Sequence, residues 1–109
     1  MKSVGIDIVE NDRIRKSLSD SFAKKILSEE EFEKYSGFNE SRKVEFLSGR
    51  FAVKEAIIKC LSDYELPSMK DLNVINNEKG KPCIEYKDYD IEISLSHERN
   101  YSVAIAILK

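Results

Sequence analysis

Residues 49–61, "GRFAVKEAIIKCL", place the tightest constraint on what this chain can fold into. Wound as a helix at about 100° per residue, Phe51, Ala52, Val53, Ala56, Ile57, Ile58, Cys60 and Leu61 spread round the whole circumference. Such a helix is buried on most sides, so the rest of the chain must be arranged around it. The helical pattern runs roughly from Ser41 to Ser62, and Pro67 follows its end.

The material for that surround reads mostly as strands. In "SVGIDIVE", Val4, Ile6 and Ile8 alternate with Gly5, Asp7 and Val9, the period of a strand. Near the other end Val103, Ile105 and Ile107 alternate with Ser102, Ala104 and Ala106. "LNVIN" and "PCIEYK" flank "NEKGK" as one hairpin; "DIEISL" and "YSVAIAIL" flank "SHERN" as another, with His97 in its turn. Ser28 with Glu31 forms a capping box that starts a short helix running towards Tyr35, and Gly37 ends it. The expected fold class is α+β, an antiparallel sheet packed against a long central helix. With 109 residues, 41% hydrophobic and 35% charged, the chain has material for one core, so residues 1–109 are expected to form a single domain.

Several function classes are disfavoured on composition. No stretch approaches the ~20 apolar residues of a membrane span, and a cytoplasmic location is expected. Cys60 and Cys83 lack metal-ligand spacing and are expected as reduced, packed thiols. A net charge of -2 argues against general nucleic-acid binding. One local run is basic: Arg13, Arg15, Lys16, Lys24 and Lys25 stand against Asp20 alone, and the acidic "SEEEFE" follows. By itself that run is a pair of solvated helix faces.

Charges inside the central helix need more explanation. Glu55 and Lys59 lie four apart in the favourable order, which fits either an ordinary intrahelical ion pair or a functional edge. An edge bordered by Phe51 and Ala52 is not fully wet, and a buried carboxylate needs a cation or strong donors to stay ionised. Asp7 interrupts an apolar strand and poses the same demand. Two carboxylates without thiolates or paired histidines suit Mg²⁺, which keeps waters and takes further ligands from substrate phosphates.

Together "GIDIVENDRI", "RKVEFLSGRFAVKEAIIK", "GKP" and "ISLSH", in that order and spacing, resemble the holo-[acyl-carrier-protein] synthase family of phosphopantetheinyl transferases over nearly the whole chain. The resemblance implies Mg²⁺-dependent transfer of 4'-phosphopantetheine from coenzyme A to a serine of an apo acyl carrier protein, releasing adenosine 3',5'-bisphosphate. It implies that Asp7 and Glu55 bind a metal that grips the coenzyme A pyrophosphate, and that Asp7, Glu55 and Lys59 carry the chemistry. It also implies that Arg50, Lys54, Lys59, Pro82 and His97 line the nucleotide and phosphates, with Arg42 and Lys43 as further contacts. Arg13 falls where the family presents basic residues to the acidic recognition helix of the carrier protein, and a homotrimer with active sites at subunit boundaries is implied as well.

The proton acceptor is left open between Glu55 and a metal-bound water. One departure stands out: "CLSDYELPS" lacks the family's Gly-Thr-Gly turn, and Asp63 and Glu65 are expected to repel a phosphate there. Two rival readings use the same residues. One is a non-catalytic coenzyme A or carrier-binding module of this fold; the other is a Mg²⁺-dependent nucleotide pyrophosphohydrolase, which has no need of the basic first helix.

Overall fold

The computed structural model describes residues 1–109. Strand β1 (Ser3–Glu10) leads into three short helices, α1 (Asn11–Lys16), α2 (Asp20–Ile26) and α3 (Glu29–Ser36), and then into the long α4 (Glu40–Cys60). A 3-10 turn at Met69–Asp71 precedes β2 (Val74–Asn76) and β3 (Pro82–Ile84), and β4 (Ile91–His97) and β5 (Tyr101–Leu108) close the chain. No helix is long and apolar enough to cross a membrane.

The strands form two sheets, not one. A three-stranded antiparallel sheet in the order β1-β5-β4 packs on α4, and β2 pairs with β3 in a separate hairpin. β4 reaches His97, which pairs with Ser102. The histidine therefore ends a strand, where the sequence placed it in a turn.

Side-chain size decides which face of the large sheet meets the helix. Gly5, Val9, Ala104 and Ala106 turn inward and are buried, and Ala52, Ala56 and Cys60 of α4 are sealed opposite. The approach is close: a Cβ on Gly5 would lie 2.0 Å from the Ala56 carbonyl oxygen and 2.9 Å from the Cys60 nitrogen. Only glycine fits there without moving the helix. The large residues of β1 face the other way, with Val4 49%, Ile6 60% and Ile8 63% exposed. Cross-strand pairing sets them beside Ile107, Ile105 and Val103, so the outer face of the sheet is an apolar row.

The capping box forms as expected. The Ser28 hydroxyl accepts from the Glu31 N–H, and the Ser28 N–H donates to Glu31 Oε1 at 2.8 Å. α4 is buried along most of its length, including the charged Arg50 and Lys54. Cys60 and Cys83 are both free thiols, and burial pushes the Cys60 thiol up.

Candidate active site

The close packing of β1 on α4 brings Asp7, Glu55 and Lys59 to one edge. The Lys59 ammonium does not pair with Glu55. It reaches across to the strand, donating to the Ile6 carbonyl at 2.9 Å and to Asp7 Oδ1 at 3.3 Å. The intrahelical pair fails because the bridge to β1 offers the ammonium two oxygens, one of them a buried-edge carboxylate.

Glu55 is left half-buried without an ion-pair partner. Desolvation pushes its carboxyl above the ordinary carboxylate range, the negative charge of Asp7 pushes it further, and Lys59 offsets part of this. Two carboxylates close enough to repel, on rigid elements and with one lysine that pairs with Asp7 only, have the chemistry of a hard divalent-ion site. No group of three or more His, Cys, Asp or Glu side chains gathers anywhere in the fold. Asp7 and Glu55 are thus the two carboxylates at this edge, a donor set too small for a protein cage and suited to a hard ion that would keep most of its water and substrate oxygens.

A second place lies towards the N-terminal half of α4. A cleft of about 250 Å³ opens between α4, the β2–β3 hairpin and the end of β4, lined by Arg42, Arg50, Asn76, Gly80, Pro82 and His97 among others. Gly80 has φ +84, which lets the hairpin turn tightly at the rim. Arg42 lies over the Phe38 ring at 4.9 Å and is exposed, though Glu45 pairs with it at 2.6 Å. Arg50 is nearly buried, with its guanidinium 4.5 Å over the Phe46 ring. His97 is exposed at the mouth.

Lys54 is not in this cleft. Its ammonium is sealed inside, donating to the Glu31 carboxylate and to the Ile26 carbonyl at 2.8 Å. The resemblance placed it on the nucleotide; the fold gives it an interior partner instead, because its side of α4 faces α2 and α3. Burial lowers both the Lys54 ammonium and the Arg50 guanidinium, and the Glu31 charge holds both up.

Arg13 projects from α1. Arg15 and Lys16 turn to Asp12 at 3.1 and 3.2 Å, which leaves Arg13 as the exposed cation of that helix without an ion pair. The helix is tethered beside His97: Asn11 Nδ2 donates to the Glu98 and Arg99 carbonyls at 3.1 and 3.2 Å, and Asn11 Oδ1 accepts from the Ser102 hydroxyl at 2.8 Å. Sequence reasoning missed this anchor, since nothing local marks an asparagine whose partners lie 87 to 91 residues away.

The glycine-free loop leaves α4 just past Lys59, where the Ser62 hydroxyl donates to the Lys59 carbonyl at 2.9 Å, and its Glu65 turns away from the cleft. Glu65 accepts from the Tyr86 and Tyr89 hydroxyls at 2.8 and 2.9 Å and from Lys87 Nζ at 2.9 and 3.1 Å. Hydrogen bonds from Lys87 and the two tyrosines hold its carboxyl at about 2. Of the two carboxylates expected to repel a phosphate, Glu65 is committed to this clamp, next to the Ile91 end of β4 and away from His97, and Asp63 is exposed without an ion pair.

A family model described as the 4'-phosphopantetheinyl transferase superfamily matches residues 3–106. The chain is 41% identical over 112 aligned positions to a holo-[acyl-carrier-protein] synthase of Staphylococcus haemolyticus, covering 97% of this chain and 94% of the relative. It is 44% identical over 108 positions to one of Mycoplasma capricolum, covering 98% and 94%. A crystal structure of a holo-(acyl-carrier-protein) synthase from Bacillus anthracis in complex with CoA (3',5'-ADP) superposes with a TM-score of 0.88 at 36% identity, covering 98% of this chain and 95% of that one. Sequence over nearly the full length and the arrangement of sheet and helix agree, and the chain belongs to the 4'-phosphopantetheinyl transferase superfamily.

Proposed function

We propose that the two cation-bearing places on α4 divide the work of one reaction. This chain is a phosphopantetheinyl transferase, and the reaction moves 4'-phosphopantetheine from coenzyme A to a serine of an apo acyl carrier protein, releasing adenosine 3',5'-bisphosphate. The serine oxygen forms a bond to the phosphorus bearing pantetheine, and the bond from that phosphorus to the bridging pyrophosphate oxygen breaks. Coenzyme A therefore presents anions at two positions, the pyrophosphate that is cut and the 3'-phosphate that leaves uncut.

Asp7, Glu55 and Lys59 hold the position that is cut. Mg²⁺ bound by Asp7 and Glu55 would supply charge neutralisation on the pyrophosphate oxygens and on the departing phosphate. Lys59 adds a second cation there, already fixed by Ile6 and Asp7. The serine proton is accepted at this edge, by Glu55, the carboxylate that no protein cation pairs, or by a water beside it. Glu55 and Lys59 lie well round α4 from Arg50, at about 100° per residue, and roughly 8 to 14 Å along its axis, so one coenzyme A joins the two kinds of place where subunits of the homotrimer meet. The 3'-phosphate then falls to Arg50, Arg42 and His97 in the cleft, with Pro82 and Gly80 as its far wall.

Arg13 meets the acidic carrier protein, beside the cleft because Asn11 ties α1 to the turn after β4. The exposed row of Val4, Ile6 and Ile8 with Ile105 supports a homotrimer, in which copies of the sheet cover one another's apolar faces. Free Cys60 and Cys83 accord with a cytoplasmic setting, where coenzyme A is used.

The observation that carries this reading is the pairing of Asp7 and Glu55 at one edge with Lys59 bridging to the strand. Incubation with apo carrier protein, coenzyme A and Mg²⁺ should add one phosphopantetheine to the carrier by intact mass. Binding of coenzyme A without any mass gain would instead make the chain a non-catalytic module of this fold.

A further inference from the structure

Glu31 is the acid at the centre of the buried polar interior, and the catalytic reading makes no use of it. Its two oxygens are fully engaged. Oε1 accepts from the Ser28 N–H at 2.8 Å and from Lys54 Nζ; Oε2 accepts from the Val74 N–H at 3.0 Å and from Arg50 Nε at 3.2 Å. Arg50 completes the link by donating through Nη2 to the Val74 carbonyl at 3.2 Å. One carboxylate thus joins three elements: the start of α3, the middle of α4 and the first residue of the β2–β3 hairpin.

Two of those elements are the opposing walls of the cleft. α4 contributes Arg50, and the hairpin contributes Asn76, Gly80 and Pro82. Val74 lies two residues before Asn76 in the same strand, so a bond at Val74 fixes where that wall stands. The same carboxylate sets the aim of the guanidinium through Nε and leaves Nη1 free of protein partners. Lys54, touching nothing in the cleft, holds the carboxylate from behind. The group carries two cations against one anion, so its surplus positive charge is Arg50's, at the cleft wall.

We propose that Glu31, backed by Lys54, is a positioning residue for the anion cleft, fixing both the direction of the Arg50 guanidinium and the spacing between α4 and the β2–β3 hairpin. This rests on the assignment of the coenzyme A 3'-phosphate to the cleft. Glu31 itself does not touch substrate, and its effect is on binding of that one phosphate.

The test compares coenzyme A with 3'-dephospho-coenzyme A as substrates of the Mg²⁺-loaded enzyme. The natural chain should have a lower KM for coenzyme A; equal KM values would overturn the cleft assignment and this inference with it. Given that preference, Glu31→Gln should raise KM for coenzyme A about tenfold, as expected for losing one charge-assisted contact, and leave KM for the dephospho form, kcat and KM for carrier protein within twofold. A variant that keeps the natural preference sinks the proposal while the cleft assignment stands. A purely structural role would raise both KM values together. If Glu31→Gln folds poorly by circular dichroism, the double variant Glu31→Gln, Lys54→Met removes a buried anion and a buried cation at once and leaves the interior charge unchanged. It should show the same loss of preference, and retention of preference in it would equally reject the role.

Discussion

Lys54 and Lys59 stand five residues apart on α4, yet one side chain is 0% and the other 53% exposed. Lys54 closes a saturated network: Glu31 accepts from every neighbour that faces it, and no carboxylate oxygen is left over. Lys59 sits in an unsaturated one, shared between Ile6 and Asp7, with Glu55 beside it unpaired and its carboxyl raised. Both places combine lysine with carboxylate, in opposite proportion: two cations on one carboxylate inside, two carboxylates beside one lysine at the edge. The difference is whether the charges can complete one another without an outside group. The interior network does so and contributes to the fold; the edge does not, and the cation and the anion of the proposed reaction are assigned to it for that reason.

The largest effect is expected when Glu31 is removed outright. Glu31→Ala should destabilise the chain by about 3–5 kcal/mol, because two buried cations lose their shared anion. Glu55→Ala, which relieves repulsion with Asp7, should leave the thermal midpoint nearly unchanged or raise it. Chemical and thermal denaturation of both variants without Mg²⁺ check this, and equal destabilisation would erase the distinction between the two regions.

Activity should invert that order. Asp7→Ala and Glu55→Ala are each expected to lower kcat/KM by about a hundredfold or more, the scale of losing one preorganised charge-stabilising group. Mg²⁺ should raise the thermal midpoint of the natural chain, by its preferential binding to the folded form, and fail to do so in either variant. Unchanged turnover would remove the metal role from this edge.

The basic helix tests a region remote from both networks. Arg13→Glu should raise KM for the carrier protein by about tenfold and leave KM for coenzyme A unchanged, since a surface charge at an encounter site acts on one partner only. Higher salt should narrow the gap between the variant and the natural chain. Parallel changes in both KM values would point to damage of the assembly.

How much of this was legible in the sequence follows from the range of the interactions. Local signals held: the Ser28 capping box, the period-2 strands and the all-round apolar helix are set by residues within a turn or two of one another. The inner and outer faces of β1 could be told apart by alternation, but not which was which. The usual rule would bury Val4, Ile6 and Ile8; close approach at Gly5 puts them outside. The Lys54 partner lies 23 residues away and the Glu65 partners 21 to 24, beyond any helical or strand period. Lys59 shows the same limit: its spacing to Glu55 offered a pair, and a strand 52 residues distant took it.

The smallest effect is expected at the Glu65 clamp, which is saturated like the interior network but lies at the surface. Its folded value of about 2 is depressed from the ordinary 4.5 chiefly by the hydrogen bond from Lys87, then by those from Tyr86 and Tyr89. A depressed carboxyl stabilises the folded chain above its unfolded value, and the contribution fades as pH falls from about 4.5 towards about 2. Glu65→Gln should therefore lower the thermal midpoint modestly at pH 7, since solvent screens an exposed group, and the deficit should close across that acid window. Coenzyme A affinity should change little, because the Glu65 carboxylate itself is held on the Tyr86–Tyr89 turn, at the end of β4 away from His97. A midpoint that Glu65→Gln leaves unchanged at pH 7 would show that the tyrosines hold a neutral amide as well as they hold the carboxylate, and a lost affinity for coenzyme A would return this loop to the nucleotide.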